Sequence, residues 1–402
     1  MSTLFQSVEL APRDPILGMT EQYNGDARPG KVNLAVGVYY DDNGKIPLLN
    51  AVRKAEVARV EAGVARGYLP IEGIAGYNKA AQELVLGKNS PLIAAGRVIT
   101  MQALGGTGAL KIGADLLKQL VPDAKVAISN PSWENHRALF ERAGFDVVNY
   151  PYYDAATHGF DLNGMLGFLR ALPAQSVVVL HACCHNPTGV DPTPAQWREI
   201  ATVMQQGDLI PFLDIAYQGF GEGLEADAAA VRLFAELDMT MLISSSFSKS
   251  FSLYGERVGA LTIVTSSKDE SSRVLSQIKR VIRTNYSNPP THGGTVVATV
   301  LNSPELFAMW DAELAGMRDR IRLMRRQLVE KLKAAGVSRD FGFVMDQRGM
   351  FSYSGLTAKQ VDRLRDEHGI YAVSTGRICV AALNSGNIDG VVKAIAQVMQ
   401  ED

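Results

Sequence analysis

The chain has 402 residues, 40 Lys+Arg against 42 Asp+Glu, a formal charge of −2 and 47% hydrophobic residues. That apolar share excludes a disordered chain, and the length predicts two or three domains around a large core. The near-neutral balance argues against a nucleic-acid-backbone binder, which carries a basic surplus, but leaves room for a local cationic pocket.

The first ten residues have neither the basic start nor the apolar run of a secretory signal. No run approaches the roughly 18 apolar residues of a membrane helix, so no membrane partner is expected. Cys183, Cys184 and Cys379 are too few for a disulfide framework, and a bridge between the adjacent pair would be strained. Reduced thiols and a cytoplasmic setting are expected. Asn186-Pro187-Thr188 has the outline of a glycosylation site, which its central proline disqualifies.

In chain order, residues 97–102 read as a strand. Gly105-Gly106-Thr107-Gly108 then opens a helix through Leu110, Ile112, Leu116 and Leu117. Further strands are predicted over 125–129, 176–182, 210–215, 241–247 and 258–264. The continuous apolar run of Val177, Val178, Val179 and Leu180 suits a strand covered on both faces. Strands alternating with helices predict an α/β fold with a mostly parallel sheet. From Leu314, the positions Met317, Ile321, Met324, Leu328 and Leu332 mark one long amphipathic helix. Arg318, Arg320, Arg322, Arg325 and Arg326 fill its other faces and read as a solvated charge run. The helix ends near Gly336 and leads into a smaller α+β segment, roughly 337–402.

Four stretches carry chemistry. Lys249 lies among Ser246, Ser248 and Ser250 at the end of a predicted buried strand. It is either a solvated surface lysine or a nucleophile tuned by desolvation and nearby cations. Ser246, Ser248 and Arg257 would then be anion ligands. Asp214, inside an apolar run, needs a partner or a capping role, and Tyr217 follows it by three residues. His181, Cys183 and His185 would share one face of an extended strand. That alternation suggests a pocket lining; as a metal site it matches no usual ligand spacing, and no metal is expected. The Gly105–Gly108 run is either a tight turn or an anion cradle at a helix start, and it matches neither common nucleotide-binding glycine pattern. Trp133, Arg283 and Arg377 are isolated large polar residues. One ligand would use all of these groups: pyridoxal phosphate, which needs a phosphate cradle, a Schiff-base lysine and a carboxylate for its ring nitrogen.

At this point the chain resembles the aspartate/aromatic aminotransferase family, class I enzymes of fold type I. The motifs run from Asp14-Pro15-Ile16-Leu17 to Gly376-Arg377. Between them lie Val32-Asn33-Leu34 with Gly37, Tyr68-Leu69-Pro70, Gly105–Gly108, Trp133-Glu134-Asn135-His136 and His185-Asn186-Pro187-Thr188-Gly189. Asp214-Ile215-Ala216-Tyr217, Ser246-Phe247-Ser248-Lys249 and Gly255-Glu256-Arg257 complete the set. The resemblance implies a large domain over 45–310 with a mainly parallel seven-stranded sheet, and a smaller α+β domain from 1–44 and 315–402. It implies that Lys249 binds pyridoxal phosphate covalently and moves the proton. Asp214 would pair with the ring nitrogen, backed by His136 and His181. Tyr217 and Asn186 would bond the ring oxygen, and Trp133 would stack on the ring. Gly106, Thr107, Ser246, Ser248 and Arg257 would hold the phosphate. Tyr68 would reach the phosphate in a neighbouring subunit of a homodimer with shared active sites. Arg377 would clamp the substrate α-carboxylate near Asn186 and Gly37. Arg283, from the partner, would meet the distal carboxylate of dicarboxylic substrates.

On specificity, Tyr40 and Ile46 resemble the aromatic branch of the family, whereas Thr107 and Asn288 resemble the aspartate branch. The expected substrates are aromatic and dicarboxylic amino acids with 2-oxo acids such as 2-oxoglutarate, in ping-pong order. The alternative is an aspartate aminotransferase with little aromatic activity. Three rivals stay open on sequence alone: a decarboxylase, lyase or racemase using the same cofactor, a nucleotide-binding module, and a metal or redox protein.

Overall fold

A computed structural model of the protein describes residues 4–11 and 16–400; Asp14 and Pro15, which begin the shared motifs, lie outside the described residues. Seven strands form the central sheet: β1 Val98–Leu104, β2 Lys125–Asn130, β3 Asp146–Pro151, β4 Val177–His181, β5 Ile210–Ile215, β6 Met241–Ser246 and β7 Val258–Val264. Their order is β1-β7-β6-β5-β4-β2-β3. All neighbours are parallel except β7, which is antiparallel to β1 and β6. The connection 247–257 is too short for a helical crossover, so β7 must return beside β6 in the opposite sense. Strands β4, β6 and β7 are buried at every position, in keeping with helices on both faces of the sheet.

Six strands lie where the sequence places them, within two residues at either end. The seventh, β3, escaped sequence reading. It is one of the two edge strands, with only Val147 and Tyr150 buried and a terminal Pro151 that an edge tolerates.

The long helix spans Pro304–Ala334, beginning ten residues before the periodicity suggested (314 − 304). Pro304 stands in its first turn, and the Ser303 hydroxyl accepts from the Leu306 N–H at 3.3 Å. All five expected apolar positions are buried. The arginines correct the expectation of a solvated face. Arg318 donates to Gly219 O at 2.9 Å, Arg320 to Leu383 O at 2.7 Å and Arg322 to Gly221 O at 2.8 Å. Arg325 is buried, while Arg326 is exposed as expected. Guanidinium groups are long enough to satisfy loop carbonyls on neighbouring elements, which helical spacing alone does not reveal.

The N-terminal segment Val32–Asn33 pairs in parallel with Ile370–Tyr371, and Cys379 N donates to Leu34 O at 2.8 Å. Phe351–Tyr353 pairs antiparallel with Arg377–Cys379. These pairings bring Gly37, Phe351 and Arg377 to the same place. Trp310 anchors the long helix to the connection that carries Lys249. Its ring is fully buried, stacks on Phe251 with centroids 4.5 Å apart, and its Nε1 donates to Ser250 O at 2.7 Å. Replacing Trp310 by alanine is expected to cost about 3–5 kcal/mol in denaturant-induced unfolding. Leu323→Ala, at a position 41% exposed, is the small-effect control. Similar losses for both variants would contradict this packing role.

Candidate active site

The site forms where the parallel strands end. Register aligns His181 of β4 with Asp214 of β5, and Asp214 with Ser244 of β6. Side chains in register share a sheet face, so three consecutive strands deliver polar groups to one spot. Ligands bind at such carboxyl ends in open α/β sheets. There, a cavity of about 270 Å³ is lined by Gly37, Gly106, Thr107, Trp133, His181, Asn186, Asp214, Tyr217, Ser246, Ser248, Lys249, Arg257 and Arg377. Sixteen sequence-assigned residues bear on the site. Thirteen of them line this cavity, and three, His136, Tyr68 and Arg283, do not.

Asp214 sits at the base and is 6% exposed. Burial alone would raise its pKa. The hydrogen bond from His136, helped by the positive charge of Lys249, outweighs that penalty, so the pKa falls below the ordinary carboxylate value. His136 Nε2 lies 3.0 Å from Asp214 Oδ2, and His136 Nδ1 lies 2.9 Å from the Ser132 hydroxyl. One ring nitrogen facing Asp214 and the other facing the Ser132 hydroxyl leave both imidazole nitrogens bonded. His136 thus stands behind Asp214, not on the cavity wall. His181 is held neutral: burial first, then the neighbouring imidazoles of His185 and His136, push its pKa well down. Its Nε2 is buried without a hydrogen-bond partner among the described residues.

Lys249 stands at 4.8 Å from the Tyr217 ring centroid. Burial, helped by Arg257 and opposed by Asp214, lowers its pKa to about 8. Tyr217 is itself buried, which raises its pKa and keeps its hydroxyl protonated.

At one end of the cavity the helix Gly105–Leu120 presents its N-terminus, with Gly106 and Thr107 in the first turn. Arg257 crosses in front of it and donates to Ser248 Oγ at 3.2 Å and Tyr254 O at 3.0 Å. Gly105 has φ +70°, and a Cβ there would lie 2.4 Å from Arg257 Nη2. Only glycine lets the guanidinium lie against this helix start. Amide donors, two serine hydroxyls and one guanidinium together make an anion cradle.

Elsewhere on the wall, Arg377 is 1% exposed. Its Nη1 donates to Asn186 Oδ1 at 3.0 Å and its Nη2 to Ala35 O at 2.6 Å. Its Nε is buried with no hydrogen-bond partner among the described residues. A buried guanidinium held by neutral acceptors and keeping a free donor is suited to a carboxylate ligand.

Tyr68 and Arg283 lie apart from the cavity. Tyr68 is 97% exposed, and Arg283 is exposed and bonded to the Ser287 hydroxyl. Tyr40 and Ile46 do not line the cavity either, and Asn288 donates to Leu69 O at 3.0 Å. The expectation that Cys183 shares a face with His181 and His185 is corrected. The strand stops at His181, Cys184 takes a left-handed conformation, and the Cys183 sulfur clusters with Cys184 and Asp227 instead. Tyr254 and Phe351 were missed. Both line the cavity, and the Tyr254 hydroxyl accepts from Tyr39 N at 2.9 Å. Tyr254 was visible as an aromatic three residues before Arg257, whereas Phe351 has no local signal.

Residues 29–395 match the family described as aminotransferase class I and II. An aspartate aminotransferase of Pseudomonas aeruginosa is 67% identical over 99% of this chain and 100% of its own. An aromatic-amino-acid aminotransferase of Escherichia coli is 50% identical over 98% of this chain and all of its own. A solved structure of an aromatic-amino-acid aminotransferase from Burkholderia pseudomallei, covalently bound to pyridoxal phosphate, superposes with a TM-score of 0.97. It shares 70% identity over 99% of this chain and 100% of that one. With a family match across most of its length and near-complete alignment to these relatives, the chain belongs to the class I and II aminotransferases.

Proposed function

We propose that this aminotransferase uses pyridoxal phosphate, held covalently by Lys249, to move amino groups between aromatic or dicarboxylic amino acids and 2-oxo acids. One observation carries the reading. A lysine with its pKa lowered to about 8 shares a single cavity with a buried arginine that keeps an unpartnered Nε. The residues fit the cofactor. The anion cradle of Gly106, Thr107, Ser246, Ser248 and Arg257 suits its phosphate, Asp214 its ring nitrogen, and Tyr217 with Asn186 its ring oxygen. The unpartnered His181 Nε2 is a further buried donor or acceptor on the same wall. When bound, pyridoxal phosphate supplies an electron-withdrawing ring that stabilises negative charge at the substrate Cα.

The protein's own groups do the rest. Asp214, kept ionised by His136, holds a proton on the ring nitrogen. Trp133 covers the ring face. Arg377 grips the α-carboxylate with two parallel donors and so fixes the direction of the Cα–H bond. As a free amine with its pKa lowered to about 8, Lys249 Nζ would be the base that takes the proton from the substrate Cα. Amino donor and oxo acceptor use the same grip in turn, which supports a ping-pong order.

The active unit is read as a homodimer in which Tyr68 and Arg283 serve the neighbouring cavity. Support comes from the exposed large apolar side chains Leu48, Val60, Val64 and Tyr68, at 63%, 69%, 66% and 97% exposure. The pairing of Val32–Asn33 with Ile370–Tyr371 supports a smaller unit formed by 1–44 and 315–402 beside a larger one over 45–310. Three free, buried cysteines suit a cytoplasmic setting. No helix among the described residues is long and apolar enough to cross a membrane.

Two tests follow. Capture of pyridoxal phosphate by the apo-protein needs a neutral Lys249 amine, so its rate should rise with pH, reach half-maximum near pH 8 and level off above. Lys249→Ala should abolish capture; a midpoint above roughly pH 10, the range of an ordinary lysine, would contradict a desolvated amine. Arg377→Leu should lower kcat/KM for every amino acid by about 10²-fold or more, since an unpaired charge costs about 3 kcal/mol. Arg283→Leu should lower it only for aspartate and glutamate. In the unmodified enzyme, a preference for aspartate over phenylalanine above about 10³, or about 4 kcal/mol, would sink the dual-substrate reading.

A further inference from the structure

We propose that Arg325 is a positioning residue for the carboxylate clamp, acting through Phe351 without touching substrate. The inference rests on Arg377 being that clamp. Arg325 lies on the Pro304–Ala334 helix and is 2% exposed. Its guanidinium meets three backbone carbonyls. Nη1 donates to Val344 O at 3.3 Å, and Nη2 donates to Gly349 O at 2.8 Å and to Phe351 O. Burial draws its pKa down only to about 10, so it stays charged at neutral pH. A buried cation spent on carbonyls of one short stretch fixes that stretch firmly.

The stretch, 344–351, is wedged against the loop that carries Asn186. Arg348 N donates to Gly189 O at 2.7 Å. Gly189 has φ +71°, and a Cβ there would lie 2.7 Å from Phe351 O. The stretch ends in Phe351, whose ring lines the cavity. The Arg377 guanidinium carbon stands 4.5 Å from the centre of that ring, and the Tyr217 ring meets it edge-on at 5.9 Å. Arg325 therefore sets the backbone that sets the ring on which Arg377 lies. Lysine cannot replace it. One ammonium nitrogen lacks the planar fork that reaches carbonyls at 344, 349 and 351 together.

The test is steady-state kinetics of the pyridoxal-phosphate-loaded enzyme with phenylalanine and with aspartate. Arg325→Lys should raise KM for both by a similar factor, about 10-fold, because the α-carboxylate is common to them. It should leave kcat within about 3-fold and the pH midpoint of the cofactor absorbance unchanged. In a Phe351→Leu background the same substitution should raise KM by less than about 2-fold, since the link to Arg377 is already cut. A full effect in that background, an unchanged KM, or a fall in kcat alone would overturn the proposal. If Arg325→Lys does not fold, Arg325→Gln, which buries no unpaired charge, must show the same pattern. Phe351→Leu alone must raise both KM values; if it leaves them within about 2-fold, the proposal fails whatever the Arg325 variants do. Arg377→Lys separates the two layers. If it leaves every KM unmoved, the clamp assignment itself is wrong; if it raises them while Arg325→Lys does not, only the positioning role is wrong.

Discussion

A carboxylate kept charged inside the protein is the constraint on which the site depends. Asp214 has lost most of its water, and burial pushes it toward the neutral form. The His136 bond at 3.0 Å, itself braced by Ser132, reverses that push. The negative charge so retained raises the pKa of Lys249, opposing a desolvation that Arg257 reinforces. The balance leaves an amine poised near neutrality. Removing Asp214 or Arg257 would therefore change the protonation of Lys249, and removing His136 that of Asp214.

The fold makes this economy of charge achievable. Parallel strands end together, so adjacent strands in register deliver His181, Asp214 and Ser244 to one face. The helix that follows β1 turns its N-terminus toward the same place and adds amide donors for an anion. The terminal segments close the other side. Leu34 and Tyr371 are joined by a backbone bond, which places Ala35 against Arg377 and Gly37 against Phe351. Arg257 and Arg377 thus occupy two walls of one cavity, suiting ligands that carry a phosphate and a carboxylate together. A chain with 40 basic and 42 acidic side chains gains its anion chemistry from where a few cations converge, not from net charge.

Much of this was legible in the sequence, for physical reasons that differ by element. Strands covered on both faces write themselves as apolar runs, so β4, β6 and β7 were readable. The edge strand β3, half wet, was not. Asp214 stood out because it interrupts an apolar run, and Lys249 because it lies among serines at the end of a predicted buried strand, with Arg257 a few residues on; motif order supplied their expected roles. Phe351 was hidden because its place on the cavity wall comes from a distant strand pairing with Arg377–Cys379. The arginines of the long helix were misread because their partners are backbone carbonyls contributed by loops far away in sequence, such as Gly219 and Leu383. Cys183 was misplaced because the strand ends at His181, four residues short of the His185 that an uninterrupted alternation would reach.

The most direct measurement is a single turnover of the holoenzyme with an amino donor and no oxo acid. Transfer of the amino group to a cofactor held by Lys249 requires one oxo acid released per site, with the bound cofactor converted stoichiometrically to pyridoxamine phosphate and the reaction then halted. Continued release of ammonia or carbon dioxide without acceptor, or a cofactor left in its aldehyde form, would contradict that chemistry.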